Sequence, residues 1–565
     1  MDDQRRPGQP GEWRGGPPTG PQAAVEEQRR SVPGESRGGP GTGPQPAVGE
    51  RRGPVGDGPT VAVSRDAVSR EAAGQRRVAE SATVPTRAEL PPKAAPARIE
   101  PAEVPEEPAP RRRKKKTVLV VVVVLVLALG GAAAFGGFRY GWFDLTPTAT
   151  TAAPAPPAPV AMSLKGVSPD APAPTAAGVA AVLQGPAAAG VLNPLSGIVL
   201  DPTTGTALWQ QGDTTPFTPA STIKILTSAA ALLSLDHTAQ FSTKVVAGDK
   251  PGTAVIVGGG DPTLSSLPAG QTTVYPGAAT VDDLVAQVKA SGAVTEVGYD
   301  TSRYAGDGLA PGWDPGDVAG GYVTPITPLI MDGGRLAPKE IDTPRTATPA
   351  ADTAKAVAQR LGATAGGEVK AAAGAKVLGE VKSAPVDRLV ENLMQISDNV
   401  LAEAMAREVA KSQGLEVSFA GGAQAVEKVL TANGFDLTGV AIVDGSGLSP
   451  TDKVPAKLLA QILSAAASPN VDDPKTAKLR PLLTALPVAG GSGTLAGRYA
   501  DSDGRGWVRA KTGTLTGVNS LAGVVVDGDG RLLVFAFMSL SAQSATDVRG
   551  ALDTLAAALR GCGCR

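Results

Sequence analysis

The chain has 565 residues, room for two to four domains, with 53 Lys plus Arg against 54 Asp plus Glu. That balance excludes a nucleic-acid binder driven by net positive charge. The single histidine, His237, excludes a His-rich zinc centre, and with both cysteines (Cys562 and Cys564) among the last four residues a Cys–His protease is hard to build. A hydrolase made from this chain needs another base, and lysine is the available substitute. No metal or cofactor is expected.

Residues 1–116 hold 21 basic and 16 acidic residues, 19 of the 50 prolines, one tryptophan (Trp13) and no Phe or Tyr. Such a segment cannot bury enough apolar surface to offset its ordering entropy, so 1–116 is predicted to be a disordered arm. It ends on six consecutive cations, Arg111 to Lys116, and residues 117–138 then carry no charge. A helix needs roughly 20 apolar residues to cross a bilayer, so 117–138 is predicted as one transmembrane helix. A cleavable signal peptide would begin close to the N-terminus instead. The flanking cations orient the span with residues 1–116 in the cytoplasm, where the arm is available to cytoplasmic partners. The segment 139–163, rich in Pro, Thr and Ala, reads as a linker, and 164–565 as an extracytoplasmic domain.

Within that domain, residues 175–184 read as a helix. Residues 196–201 and 206–209, joined by the turn Pro202-Thr-Thr-Gly205, read as a β-hairpin. A long Ala- and Leu-rich helix is predicted from Ser221 to Leu235. Residues 506–513, 518–527 and 531–540 read as consecutive antiparallel strands. The closing helix from Ala545 places Val548, Leu552, Leu555 and Leu559 at helical spacing. The prediction is an α+β fold, an antiparallel sheet built from both ends of the domain and flanked by helices. The middle, about 245–385, has strand and glycine signals of its own and is predicted to be an inserted, mostly β subdomain.

Three short motifs stand out. Ser221-Thr-Ile-Lys224 puts a hydroxyl and an amine one helical turn apart on one face. Ser397-Asp398-Asn399 precedes a helical run, and Lys511-Thr512-Gly513-Thr514 lies on a strand, where a glycine often marks close approach of a ligand or another backbone. Singly, each has an ordinary explanation: a helix cap with a solvated lysine, a second cap, and a strand end entering a turn. His237 reads as a helix-end or surface residue. Cys562 and Cys564 lie beyond the core elements and either form a bond or remain a reactive tail.

Taken in this order and context, the three motifs resemble those of the penicillin-recognising serine enzymes. The segments Val257-Gly-Gly-Gly-Asp-Pro-Thr-Leu264, Pro311-Gly-Trp-Asp-Pro-Gly-Asp317, 443–454 and 486–498 look like recurring elements of one branch. That branch is the low-molecular-mass penicillin-binding proteins of the D-alanyl-D-alanine carboxypeptidase/endopeptidase family, which carry inserted domains between the first and second motifs. The resemblance covers about 175–560. It implies a penicillin-binding-protein/β-lactamase-like transpeptidase fold and an acyl-enzyme route on peptidoglycan stem peptides, with β-lactam antibiotics as inhibitors. By it, Ser221 is the nucleophile and Lys224 its base, Ser397 relays the proton to the leaving amine, and Asn399 binds the substrate's peptide amide. The N–H groups of Ser221 and Thr514 form the oxyanion hole. Lys511, Thr512 and Thr514, around Gly513, hold the terminal carboxylate. An exposed lysine is a poor base at neutral pH, so burial and the second cation, Lys511, are expected to lower its proton affinity. Two other readings remain: a β-lactamase, against which the 173-residue interval from Lys224 to Ser397 speaks, and a non-catalytic wall or division scaffold.

Overall fold

Thr175 caps the first helix, α1 (Ala176–Ala187), its side chain accepting from the Gly178 N–H. The computed structural model describes residues 167–168 and 170–564. The arm, the span and the linker predicted over 1–163 lie outside the described residues; among those described, no helix is long and apolar enough to cross a membrane. After α1 come the hairpin strands β1 (Leu195–Asp201) and β2 (Thr206–Gln211) and helix α2 (Lys224–Ser234). An inserted unit follows, with β3 (Ser242–Ala247), β4 (Thr253–Val257), α3 (Val281–Ser291), β5 (Glu296–Asp300), α4 (Pro349–Leu361), β6 (Thr364–Glu368) and β7 (Val377–Lys382). The chain returns through α5 (Val386–Ile396), α6 (Asn399–Ser412), α7 (Phe419–Ala432) and α8 (Ala456–Ala467). It finishes with β8 (Val508–Leu515), β9 (Val518–Val526), β10 (Leu532–Ser539) and α9 (Ala545–Arg560).

The main sheet has the order β8-β9-β10-β1-β2, and all four pairings are antiparallel. Its central strands are apolar on both faces because helices cover both. On β10, Val534, Ala536 and Met538 face one core with α2 and α5 to α8, while Leu533, Phe535 and Phe537 face a second core with α1 and α9. On β1, Ile198 and Leu200 belong to the first and Leu195 and Val199 to the second. This period of two is that of a strand buried on both sides. The predicted closing helix supplies Val548, Leu552, Leu555 and Leu559 to the second core.

The inserted unit departs from the mostly β expectation. Its sheet runs β7-β3-β4-β5-β6, and the pairs β4·β5 and β5·β6 are parallel. Parallel neighbours need a crossover connection, usually helical, and α3 and α4 provide the two crossovers. Val281, Leu284, Val285 and Val288 of α3 and Ala350, Ala354, Val357 and Ala358 of α4 form a core with Val245, Ile256 and Val297 of the sheet. The unit is therefore a mixed α/β layer pair.

Candidate active site

The helix expected to open at Ser221 opens one turn later. Residues Ala220–Ile223 form a 3-10 turn and α2 proper starts at Lys224. Ser221 is therefore not a helix cap; its Oγ accepts from Lys224 Nζ at 2.8 Å. The turn is held from two sides. Thr222 Oγ1 and, from β9, Ser520 Oγ each donate to the Pro219 carbonyl at 2.7 Å. Gly447, at φ +78°, lies under it so closely that a Cβ there would stand 2.0 Å from the Ala220 carbonyl oxygen. On the other side, a Cβ on Gly513 would stand 2.7 Å from the Pro219 oxygen and 3.0 Å from the Ser221 nitrogen. Only glycine lets β8 pass this near, which brings the Lys511–Thr514 segment alongside the Ser221 N–H.

Lys224 is fully buried, so it is not a solvated surface residue. Its Nζ contacts Ser221 Oγ, Asn399 Oδ1 at 2.6 Å and the Ser446 carbonyl at 2.5 Å. The last two can only accept hydrogen bonds. A neutral amine has two N–H donors; with both committed to Asn399 and Ser446, its lone pair is left for the Ser221 hydroxyl. In its neutral form Lys224 is thus aimed at the Ser221 hydroxyl. Burial brings Lys224 down to about 8, against the opposing pull of Asp444, Glu403, Asp398 and Asp452.

The second motif divides its labour. Asp398 is the helix cap of the ordinary reading, its Oδ1 accepting from the Leu401 N–H at 2.8 Å. Its neighbours point into the site. Ser397 takes a left-handed φ of +57°, and its Oγ accepts from Lys511 Nζ at 2.8 Å. Asn399 accepts from Lys224 and donates through Nδ2 to the Tyr322 carbonyl at 3.0 Å, which fixes which end of the amide faces the lysine.

Lys511 is fully buried as well, and it also donates to the Thr512 carbonyl at 2.8 Å. Thr512 Oγ1 donates to Thr494 Oγ1 at 2.9 Å, and the exposed Thr514 donates to Asn519 Oδ1 at 3.2 Å. Burial, and then the charge of Lys224, push Lys511 well below the usual lysine range. The like-charge effect expected on Lys224 therefore falls on Lys511: Lys224 is drawn toward protonation by four carboxylates, and Lys511 by none among the described residues.

The structure therefore brings Ser221, Lys224, Ser397, Asn399, Lys511, Thr512, Gly513 and Thr514 to one place. It adds residues to which no role could be given from sequence. Ser446 presents its carbonyl to Lys224 because Asp444 shapes the loop. Asp444 Oδ1 accepts from the N–H groups of Ser446 (3.0 Å) and Gly447 (2.5 Å), and Oδ2 from the Ser449 N–H and Trp313 Nε1 (both 2.7 Å). The Asp-Gly-Ser-Gly-Leu-Ser run was the available signal, since a carboxylate followed by small residues can gather several backbone N–H groups. Tyr322, 59% exposed, stands over Asn399. Elsewhere, a His237 ring nitrogen lies 2.9 Å from the Leu232 carbonyl at the end of α2. Cys562 and Cys564 are joined as a disulfide and, contrary to expectation, are buried in the second core beside α1.

The model of the D-Ala-D-Ala carboxypeptidase 3 (S13) family matches residues 176–348 and 338–559. A carboxypeptidase of Mycobacterium tuberculosis is 45% identical over 424 residues, 73% of this chain and 90% of the relative. Carboxypeptidase DacB of Mycolicibacterium smegmatis is 44% identical over 442 residues, 77% of this chain and 94% of the relative. The crystal structure of penicillin binding protein 4 (dacB) from Haemophilus influenzae shares the fold, with a TM-score of 0.54 at 23% identity, over 67% of this chain and 97% of that one. With three motif segments around one buried lysine and a family match across the whole catalytic region, the chain belongs to the D-Ala-D-Ala carboxypeptidase 3 (S13) family of serine-type carboxypeptidases.

Proposed function

We propose that this protein is a membrane-anchored D-alanyl-D-alanine carboxypeptidase that trims peptidoglycan stem peptides through an acyl-enzyme on Ser221. The observation that carries the reading is the placement of Lys224 Nζ 2.8 Å from Ser221 Oγ, with its N–H groups donated to Asn399 Oδ1 and the Ser446 carbonyl. Ser221 Oγ attacks the carbonyl carbon between the last two D-alanines as its proton passes to Lys224. The oxyanion is received by the N–H groups of Ser221 and Thr514, which Gly513 allows to lie side by side; one such donor is worth about 3 kcal/mol in the barrier. The C–N bond breaks as Lys224 passes that proton through Ser397 to the leaving amine, and D-alanine departs. Water then attacks the ester, Lys224 taking its proton and returning it to Ser221 Oγ as the acyl–oxygen bond breaks, and Ser221 is restored. Asn399 holds the substrate's amide. Lys511, Thr512 and Thr514 hold the terminal carboxylate, whose charge supplies the anion that buried Lys511 lacks. Penicillin presents the same carbonyl and carboxylate and acylates Ser221. Endopeptidase activity follows where a cross-link fits the same cleft.

Residues 117–138, preceded by six cations, form the anchor in this proposal, with the arm 1–116 in the cytoplasm and the catalytic domain outside it.

The test compares a peptide ending in D-Ala-D-Ala with its C-terminal amide. Release from the free acid, and a fall in kcat/KM of roughly a hundredfold or more for the amide, is the expected result, because the amide leaves Lys511 without its anion. Equal cleavage of both would remove the carboxylate from the mechanism. The pH profile is a second check. Lys224 must be neutral to accept the proton and is protonated below about 8, so kcat/KM should rise with pH and level off above that value. At pH 7 about a tenth of the plateau rate is expected, and penicillin acylation should follow the same limb.

A further inference from the structure

We propose that Arg335 and Arg345, carried by the inserted unit, are positioning residues for the reaction: through Asp398 they hold Ser397 and Asn399 where these reach Lys511 and Lys224. The inference deepens the acyl-enzyme reading above and rests on it.

The corner between α5 and α6 has two residues, Ser397 and Asp398. Ser397 sits at φ +57°, a region that a residue with a Cβ occupies at a cost and keeps only when its surroundings over-determine it. The Asp398 carboxylate does this by facing two ways. Oδ1 caps α6 on the Leu401 N–H. Oδ2 accepts from Arg335 Nη2 at 2.7 Å and Tyr275 Oη at 3.0 Å, with Arg345 Nη2 at 3.5 Å. Arg335 Nη1 also donates to Tyr275 Oη at 2.5 Å, and Arg345 donates to the Gly321 carbonyl at 3.1 Å and to the Gly333 carbonyl. All four side chains are buried. Tyr275, Arg335 and Arg345 come from the segment between α2 and α5, so the inserted unit grips the main fold at the residue between two site residues.

The physical consequence is direct. Asp398 is held well below the usual carboxylate range: burial opposes its charge, and the two arginines more than offset the burial. Without a guanidinium, a carboxylate in this position must take a proton or move toward water. Either change frees the corner, lets Ser397 leave the left-handed region and withdraws its Oγ from Lys511. The groups facing Asp398 are Arg335, Arg345 and Tyr275 from the inserted unit and Lys224 from α2. Those facing Lys224 are Asp398, Asp444, Glu403 and Asp452, with Lys511 across the site. Once Asp398 is protonated or displaced, one of the four carboxylates that draw Lys224 toward protonation is lost, and Lys224 holds its proton less firmly.

The experiment uses the full chain with Arg335→Met, Arg335→Lys, Arg345→Met and Ser221→Ala. It follows D-alanine release from a D-Ala-D-Ala peptide and labelled-penicillin acylation across pH, beside thermal melts. Arg335→Met, folded, should lose about a hundredfold in kcat with a much smaller change in KM, and its acid limb should move to lower pH. Arg335→Lys should recover at least about a tenth of the lost rate, since it restores the charge but not the fork. A folded Arg335→Met enzyme with kcat within about threefold of the parent and an unmoved limb overturns the proposal. If Arg335→Met does not fold, Arg345→Met, at the longer 3.5 Å contact, decides: a smaller loss with the same shift supports the proposal, and an unchanged profile overturns it. Label on Ser221→Ala would instead overturn the acyl-enzyme reading, whatever the arginine variants do.

Discussion

Ser221→Ala is expected to reduce D-alanine release by at least about ten-thousandfold and to leave no covalent penicillin adduct. The substitution removes one oxygen whose only side-chain partner among the described residues is Lys224. Lys224 keeps Asn399 and Ser446, and the turn keeps its ties from Thr222, Ser520 and Gly447. The variant should therefore melt close to the parent, so loss of activity reports chemistry rather than unfolding. Intact-mass measurement after incubation with penicillin gives the answer. A mass increase that persists in Ser221→Ala would assign the nucleophile to another side chain.

Lys224→Met should cost about a thousand- to ten-thousandfold in kcat/KM, with substrate still bound. Methionine fills the same buried space but offers no lone pair to the Ser221 hydroxyl, and it leaves the Asn399 Oδ1 and Ser446 carbonyl without a donor. It also removes the cation from a ring of carboxylates in which burial raises Glu403 to about 7 and Asp452 to about 9. These acids should take up protons more readily in the variant. The residual rate should lose the limb near pH 8, because the group that titrates there is gone. Combined with Ser221→Ala, the loss should be no greater than for Ser221→Ala alone, since the two side chains are expected to act as one unit. A Lys224→Met enzyme that keeps both its rate and its pH limb would move the base elsewhere.

What the sequence made legible was local. The hairpin from Ser196, the C-terminal strands and the closing helix each carry a period or a turn residue that can be read within ten positions, and the three motifs name their own side chains. The two crossover helices of the inserted unit were harder. α4 reads Pro-Ala-Ala-Asp-Thr-Ala-Lys-Ala, small residues whose apolar face emerges only against the sheet. The polar network was not legible at all. Nothing at Arg335 or Tyr275 announces a partner at Asp398, because a buried ion pair between distant segments has no spacing to betray it. The offset of Ser221 into a 3-10 turn was hidden for a similar reason, being imposed by Gly447 and Gly513 from outside the helix.

The position of β1 between β10 and β2 sets the moment at which the enzyme comes into being. Leu195 pairs with Ser539, more than three hundred residues later in the chain. A nascent polypeptide that has already emerged through α8 possesses its serine and first lysine but has one bare strand edge and no Lys511. It is consequently an unfinished sheet, slow to complete and exposed to mispairing until β8 to β10 arrive. Catalytic competence is thus withheld until β8 to β10 have been made, and a chain cut short before residue 511 should be blind to penicillin.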